Sequence, residues 1–260
     1  MKLMVNHQTH YSYSADVNRS IQYIRMTPPS NAHQKVHHWA VSVPGQSIAK
    51  QDAFENIWLT SSQYEPYSQL TIMAQGIVEL NVNNRVGVDL AYISPSMFLQ
   101  PTDRTLCNTE MQCFAHQYVP RVTHQNLQAL AEAILQCIPY TPARTSVHTT
   151  AIDAFLHGEG VCQDHSHVFI AMCKYLGIPA RYVSGYLYVP QMAHLASHAW
   201  AEAFIDNAWY CFDISNQLFR PNSHIYVAIG RDYWDVAPVR GVREKGGIES
   251  MSSIVQVLRC

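Results

Sequence analysis

The apolar residues of this chain change their repeat once, and that change limits the folds open to it. From residue 1 to about 105 they recur at every second position: Leu3, Val5, His7, Thr9, Tyr11 and Tyr13 alternate with polar neighbours, and Leu70, Ile72, Ala74, Val78 and Leu80 do so again. Such alternation belongs to strands buried on one face. Pro44-Gly45 and Asn83-Asn84 supply turn chemistry between the runs, and no stretch here has a helical repeat, so the spacing predicts an antiparallel β-sandwich or barrel. Near residue 123 the repeat turns helical: Leu127, Leu130, Ala131, Ile134, Leu135 and Ile138 follow a Thr123 cap and stop at Pro139. Further helices are expected over 149–157, closed by Gly158, and from Cys162 to Gly177. Strands are then expected over 181–189, 198–205 and 209–214, the last two joined tightly at Asp206-Asn207. Pro95, Pro101 and Pro120 mark 95–122 as a connector, so the chain divides into a β-rich region, 1–105, and an α+β region, 106–260.

Composition narrows the classes of function. Hydrophobic residues make up 48% and charged residues 14% of the 260, well below the roughly 25% charged of an average domain, which excludes a long disordered chain. A net charge of −2 argues against nucleic-acid binding by phosphate neutralisation. The opening MKLMVNHQTHYSYS lacks the apolar core of a signal peptide, and no apolar run approaches the roughly 18 residues that span a bilayer, so no membrane partner is expected. Seven cysteines form an odd set without a C-x-x-C pair, which predicts reduced thiols in a cytoplasmic protein.

The sharpest local feature is GEGVCQDHSHVFIAMCKYLGIP. Gly158 and Gly160 punctuate the chain just before Cys162 opens an amphipathic helix, where unpaired N–H groups and the macrodipole favour a thiolate. A thiolate nucleophile needs a base and a group that orients the base. His198 opens the strand HAWAEAFI, and Asp213 lies in WYCFDIS. With a two-residue loop at 206–207, Ile205 faces Ala208 and Trp200 faces Asp213, which makes His198 a diagonal neighbour of Asp213 on one face. A three-residue loop would send the two side chains to opposite faces. Read singly, Cys162 is equally a small buried hydrophobe and His198 a core histidine.

Together the runs GVCQDHSHVFIAMCKYLGIPARYVSGYLY, SHAWAEAFI and WYCFDISN resemble the bacterial transglutaminase-like superfamily. The resemblance continues through VAIGRDYWDVAPVRG in the tail and through HYSYS, RMTP and DAFEN near the N-terminus, and so covers almost the whole chain. It implies a papain-like core, a cysteine-bearing helix packed on an antiparallel sheet, preceded by a β-sandwich-like domain. It also implies that Cys162 is the nucleophile, His198 the base and Asp213 the orienting group. Four positions depart from the usual pattern: Ile214 and Ser215 in Asp213-Ile214-Ser215-Asn216, where aspartate-proline-threonine-asparagine is common, His165 where an aromatic or apolar residue is common, and Glu55 where glycine is common.

The backbone N–H of Cys162 is the expected oxyanion donor, with Gln163 as the nearest side-chain amide. Asp164 in the first helical turn suits the macrodipole. Trp200 and Tyr186 are candidate walls of an acyl pocket, or core aromatics. Arg231, Asp232 and Asp235 are expected to form an ion pair or a cleft rim. Among the clusters His33/His37/His38, His165/His167 and His194/His198, His33 and His37 have i,i+4 spacing but lie in a strand or loop without the glutamate of a H-E-x-x-H site, and His165 and His167 would point to different faces of a helix, so no metal and no cofactor is expected. The expected activity is cleavage of peptide or side-chain amides in a peptide or protein substrate through a thioester. Glutamine-amine cross-linking is an alternative, and so is a scaffold that keeps the fold without turnover.

Overall fold

The computed structural model describes residues 1–83, 87, 93–190 and 197–260. The chain opens with β1 (Lys2–Thr27), β2 (Gln34–Ser42), β3 (Gln46–Gln51), β4 (Ile57–Gln63) and β5 (Tyr67–Leu80). The helices α1 (Thr109–Tyr118), α2 (His124–Cys137), α3 (Ala151–His157) and α4 (Cys162–Tyr175) follow. The remainder is β6 (Ala180–Leu187), β7 (His198–Ile205), β8 (Ala208–Phe212), β9 (His224–Gly230), the short α5 (Tyr233–Val236), β10 (Val239–Lys245) and β11 (Glu249–Arg259). Asn84 of the expected Asn83-Asn84 turn and His194 lie outside the described residues.

The N-terminal region, expected as an antiparallel β-sandwich or barrel, is a seven-stranded antiparallel sheet folded on itself. β1 is long enough to serve two arms: residues 2–12 pair with β5 and 3–13 with β11, while 20–27 pair with β4 and 17–24 with β10. Its register breaks between Ser12 and Val17, and the partner strands are interrupted at the same level. The arms fold toward each other, so that Ile24 and Met26 pack with Leu70, Ile72 and Ala74 in one core. The expected boundary at 105 is corrected as well. β10 and β11 return from the C-terminus to pair along the side of β1 away from β4 and β5, which would otherwise be a long open edge of unpaired N–H and C=O groups.

The second half carries a four-stranded antiparallel sheet in the order β8-β7-β6-β9. Asp206 and Asn207 both have positive φ, 49° and 63°, as a two-residue hairpin loop of this hand requires, and Ile205 pairs with Ala208. The apolar face of α4, including Val168, Phe169, Met172 and Cys173, packs on this sheet together with α2 and α3. A fully buried side chain of this size stabilises by roughly 1.5–3 kcal/mol, so α4 is held along its whole length. The stretch read as a connector contains α1, whose buried stripe is only Met111 and Ala115.

β9 is an edge strand, and side chains from the N-terminal loops take the place of a fifth strand. The His33 Nε2–H donates to the His224 carbonyl at 2.9 Å. The Gln34 amide both donates to the Tyr226 carbonyl and accepts from its N–H, each at 2.8 Å. Asn56 treats Ile229 in the same way, also at 2.8 Å. Asn56 is fixed by Asp52, which accepts its backbone and amide N–H groups, so DAFEN is a clamp on this edge. Glu55 sits in that clamp at φ 63°, in the left-handed region that favours glycine. No helix among the described residues is long and apolar enough to cross a membrane.

Candidate active site

Cys162 is the first residue of α4 and is half-buried. The helix start is built by its neighbours: Tyr140 bridges to Gly160, and the Thr141 N–H donates to the Gly160 carbonyl at 2.8 Å. Asp164 folds back over this turn, its Oδ2 accepting the Val161 N–H at 2.8 Å and the Thr145 hydroxyl at 2.6 Å. A side chain at position 160 would collide with Asp164, so the glycine is needed for that cap. Asp164 is fully buried and its pKa is raised by burial, against the hydrogen bonds that lower it. Its place is structural, beneath the turn that carries Cys162.

β7 presents His198 from its first residue, and β8 delivers Asp213 just past its end. The His198 Nε2–H donates to Asp213 Oδ2 at 2.8 Å, which leaves Nδ1 as the nitrogen for the Cys162 thiol. Burial acts to lower the His198 pKa. The Asp213 charge and hydrogen bond, together with the hydrogen bond to the Cys162 side chain, more than offset this and raise it to about 10. Asp213 is fully buried; burial acts to raise its pKa, and the His198 charge with the hydrogen bonds from His198 and His224 hold it well below the carboxylate range.

Two partners of Asp213 were not singled out by sequence. The His224 Nε2–H donates to Asp213 Oδ2 at 3.0 Å. Its ring is fully buried against Trp200, 4.7 Å between centroids, and burial lowers its pKa, so it serves as a neutral donor. Asn216 donates from its backbone N–H and from its amide to the same carboxylate, at 3.2 and 3.0 Å. The donor atoms of His198, Asp213 and His224 converge within 4.8 Å of one another, the one such set of metal-capable side chains among the described residues. Their 2.8 and 3.0 Å spacings are those of proton-bridged pairs.

Two departures from the usual family pattern face each other. His165 donates from Nε2 to the Ile138 carbonyl at 2.7 Å and accepts the Ser215 hydroxyl at Nδ1, at 2.8 Å. The altered turn after Asp213 is therefore tied to α4, while Asn216 still closes it on Asp213. His167 points elsewhere and accepts the Tyr233 N–H.

The remaining expectations resolve by contact. The Gln163 side chain donates to the Ser146 carbonyl at 3.1 Å, away from an oxyanion position. Trp200 is fully buried and stacked beside His198, 6.0 Å between centroids, and Tyr186 is buried with its hydroxyl 3.0 Å from His7 Nδ1. Both are core rather than pocket. Arg231 forms a two-point ion pair with Asp235, and Asp232 caps α5. His33 and His37 serve separate partners, the His224 carbonyl and Glu79.

A helix-borne thiol facing an imidazole that is backed by a buried carboxylate is the layout of a thiol-dependent enzyme. Residues 114–214 match the transglutaminase-like superfamily, and residues 3–79 match the bacterial transglutaminase-like N-terminal region. The two matches place a transglutaminase-like core in the second half of the chain and a bacterial transglutaminase-like N-terminal region before it. It is 29% identical to an uncharacterized protein of Mycobacterium leprae, over 99% of both chains, and 27% identical to one of Mycobacterium tuberculosis, over 92% of this chain and 86% of that one. A solved structure from Cytophaga hutchinsonii, described as that of a candidate cysteine protease, shares the fold with a TM-score of 0.81 at 21% identity, covering 99% of this chain and 90% of that one.

Proposed function

We propose that the protein is a cysteine acyl-transfer enzyme that cleaves peptide or side-chain amides through a thioester on Cys162. The observation that carries this reading is the chain of contacts from the Cys162 thiol through His198 to Asp213, with the raised imidazole pKa that favours a thiolate-imidazolium pair. Cys162 Sγ attacks the amide carbonyl. Charge on the carbonyl oxygen is met by the N–H of Cys162 in the first turn of α4, aided by the macrodipole. His198 gives the Nδ1 proton to the leaving amine, and the thioester forms. His198 then takes a proton from water, which releases the acid and restores the thiol. Asp213 keeps the Nε2–H directed at itself, so Nδ1 faces the sulfur throughout, and His224 and Asn216 hold Asp213.

The test is the pH dependence of Cys162 alkylation, followed peptide by peptide against the other six cysteines, in the native protein and in His198→Ala. Fast reaction well below pH 8 that disappears in the variant supports the pair. Ordinary thiol behaviour in both proteins refutes it and leaves a scaffold. Hydrolysis and amine transfer separate by whether a labelled amine enters a glutamine peptide faster than water does.

A further inference from the structure

A cleft of about 580 Å³ lies between the folded sheet and the catalytic half. Its walls reach the site from two sides. Ser197 immediately precedes His198, and Val147 and His148 follow Ser146, whose carbonyl holds Gln163 next to Cys162. Tyr233, on a third wall, is tied through its backbone N–H to His167 of α4. The opposite wall is the inner face of β1 and β11, with Thr9, Tyr11 and Met251.

The charges around this cleft do not balance. Glu249 is paired with Arg243 at 3.4 Å, and Asp235 with Arg231. His7, on the floor, is neutral because burial lowers its pKa to about 4. Arg240 lines the cleft, and its guanidinium lies 4.4 Å from the Trp234 ring centroid, with one N–H donated to the Trp234 carbonyl at 3.0 Å. Arg104 stacks on the same indole at the same distance; only 6% of it is exposed, and its Nε–H has no acceptor. Neither arginine has a carboxylate partner among the described residues. Both also flank Tyr233 closely enough to act on its hydroxyl. Two guanidiniums without a carboxylate partner therefore share one indole, and Arg240 and that indole line the cleft. Arg240 is held by stacking and by a backbone bond, so little of its freedom remains to be lost when an anion binds.

Resting on the acyl-transfer reading, we infer that this cleft selects amides that carry a carboxylate near the scissile bond, with Arg240 as the residue that receives it. The carboxylate belongs either to an acidic side chain or to a chain terminus; both present the same planar anion to a guanidinium. An arginine-carboxylate pair partly open to water gives a modest preference, about three- to tenfold.

The test uses three alkylating peptides of one length on the full chain: N-iodoacetyl-Gly-Glu-amide, N-iodoacetyl-Gly-Gln with a free C-terminus, and the neutral N-iodoacetyl-Gly-Gln-amide. The rate at Cys162 is divided by that at the exposed Cys113 and Cys137 of the same molecules, which removes intrinsic reactivity and any loss of folded protein. The expected result is about three- to tenfold faster labelling of Cys162 by one or both anionic probes, and the faster probe identifies the source of the carboxylate. In Arg240→Gln the anionic-to-neutral ratio falls to about one, and Arg240→Lys restores part of it. The inference is overturned if the neutral probe labels Cys162 quickly and the anionic probes do no better, or if their advantage survives Arg240→Gln. Slow labelling of Cys162 by all three would instead remove the thiolate reading, and this one with it.

Discussion

Replacing Gln34 with leucine tests how the two halves of the molecule are joined. Gln34 is buried, and its amide makes three bonds: to the Pro29 carbonyl, to the Tyr226 carbonyl and from the Tyr226 N–H, each 2.8 Å. Leucine nearly matches its volume, so packing is kept and the polar contacts alone are lost. The N–H and C=O of Tyr226 then lie buried at the open edge of β9 without partners. At about 1–3 kcal/mol for each orphaned group the cost is about 2–6 kcal/mol. The added apolar surface of leucine returns about 1 kcal/mol, leaving a net loss near 3 kcal/mol, a large share of the 5–15 kcal/mol that holds an ordinary domain. Urea unfolding followed by tryptophan fluorescence should show a lower midpoint with an unchanged slope. Gln46→Leu, the same change on the exposed β3, should stay within about 0.5 kcal/mol. Because β9 carries His224 beneath Asp213, Gln34→Leu should also slow Cys162 alkylation. Equal stability of the two variants would refute the reasoning, since it would mean that the β9 edge is satisfied without the amide.

Asp213→Asn removes the charge that does most to raise the His198 pKa and leaves only the Cys162 contact against burial, so the imidazole should fall well below about 10, and Cys162 alkylation should shift to higher pH; an unchanged profile would contradict this. In the native protein the pair also sets stability against pH. The raised His198 contributes fully below pH 6.5 and loses its contribution as pH climbs toward about 10, and the lowered Asp213 contributes above about pH 4 and loses its contribution in acid, so thermal melts should give a plateau between those limits. Glu55→Gly relieves a left-handed backbone that costs a residue with a Cβ about 1 kcal/mol, and should raise the unfolding midpoint; a lower one would mean that the Glu55 side chain matters more than its φ. Gly185→Ala should destabilise by several kcal/mol, because Gly185 pairs with His198 on one side and a Cβ there would overlap the Ile225 carbonyl of β9 on the other, and a melt within about 1 kcal/mol of native would show that β6 can give way.

The parts of this molecule that could be read from its sequence are those fixed by local rules. The α4 start follows from Gly158, Gly160 and the apolar stripe behind Cys162. The diagonal placement of His198 and Asp213 follows from a two-residue loop whose Asp206 and Asn207 both tolerate positive φ. Long-range pairings left no comparable mark. β10 and β11 are mostly exposed, so their alternation is weak, and the partner that makes them strands lies at the other end of the chain. α1 buries two side chains, too few to show a helical period. His224 is one polar residue at the head of an apolar strand, and its part in the site depends on β9 pairing with β6 rather than on spacing from Asp213.

These same long-range contacts decide what the N-terminal region is for. It supplies three side chains that close the edge of β9, and one of them, His33, is bonded to the carbonyl of the residue whose ring supports Asp213. It also supplies, through Tyr11 and Thr9, part of the far wall of the cleft beside Cys162, which β11 completes with Met251. A catalytic half freed from the sheet would keep Cys162, His198 and Asp213 in its sequence. It would lose the edge that fixes His224 and one side of the cleft beside Cys162. The arrangement of Cys162, His198 and Asp213 is therefore not set by the catalytic half's sequence alone. In the folded chain its geometry is completed by residues that precede Cys162 by more than a hundred positions and by strands that follow Asp213.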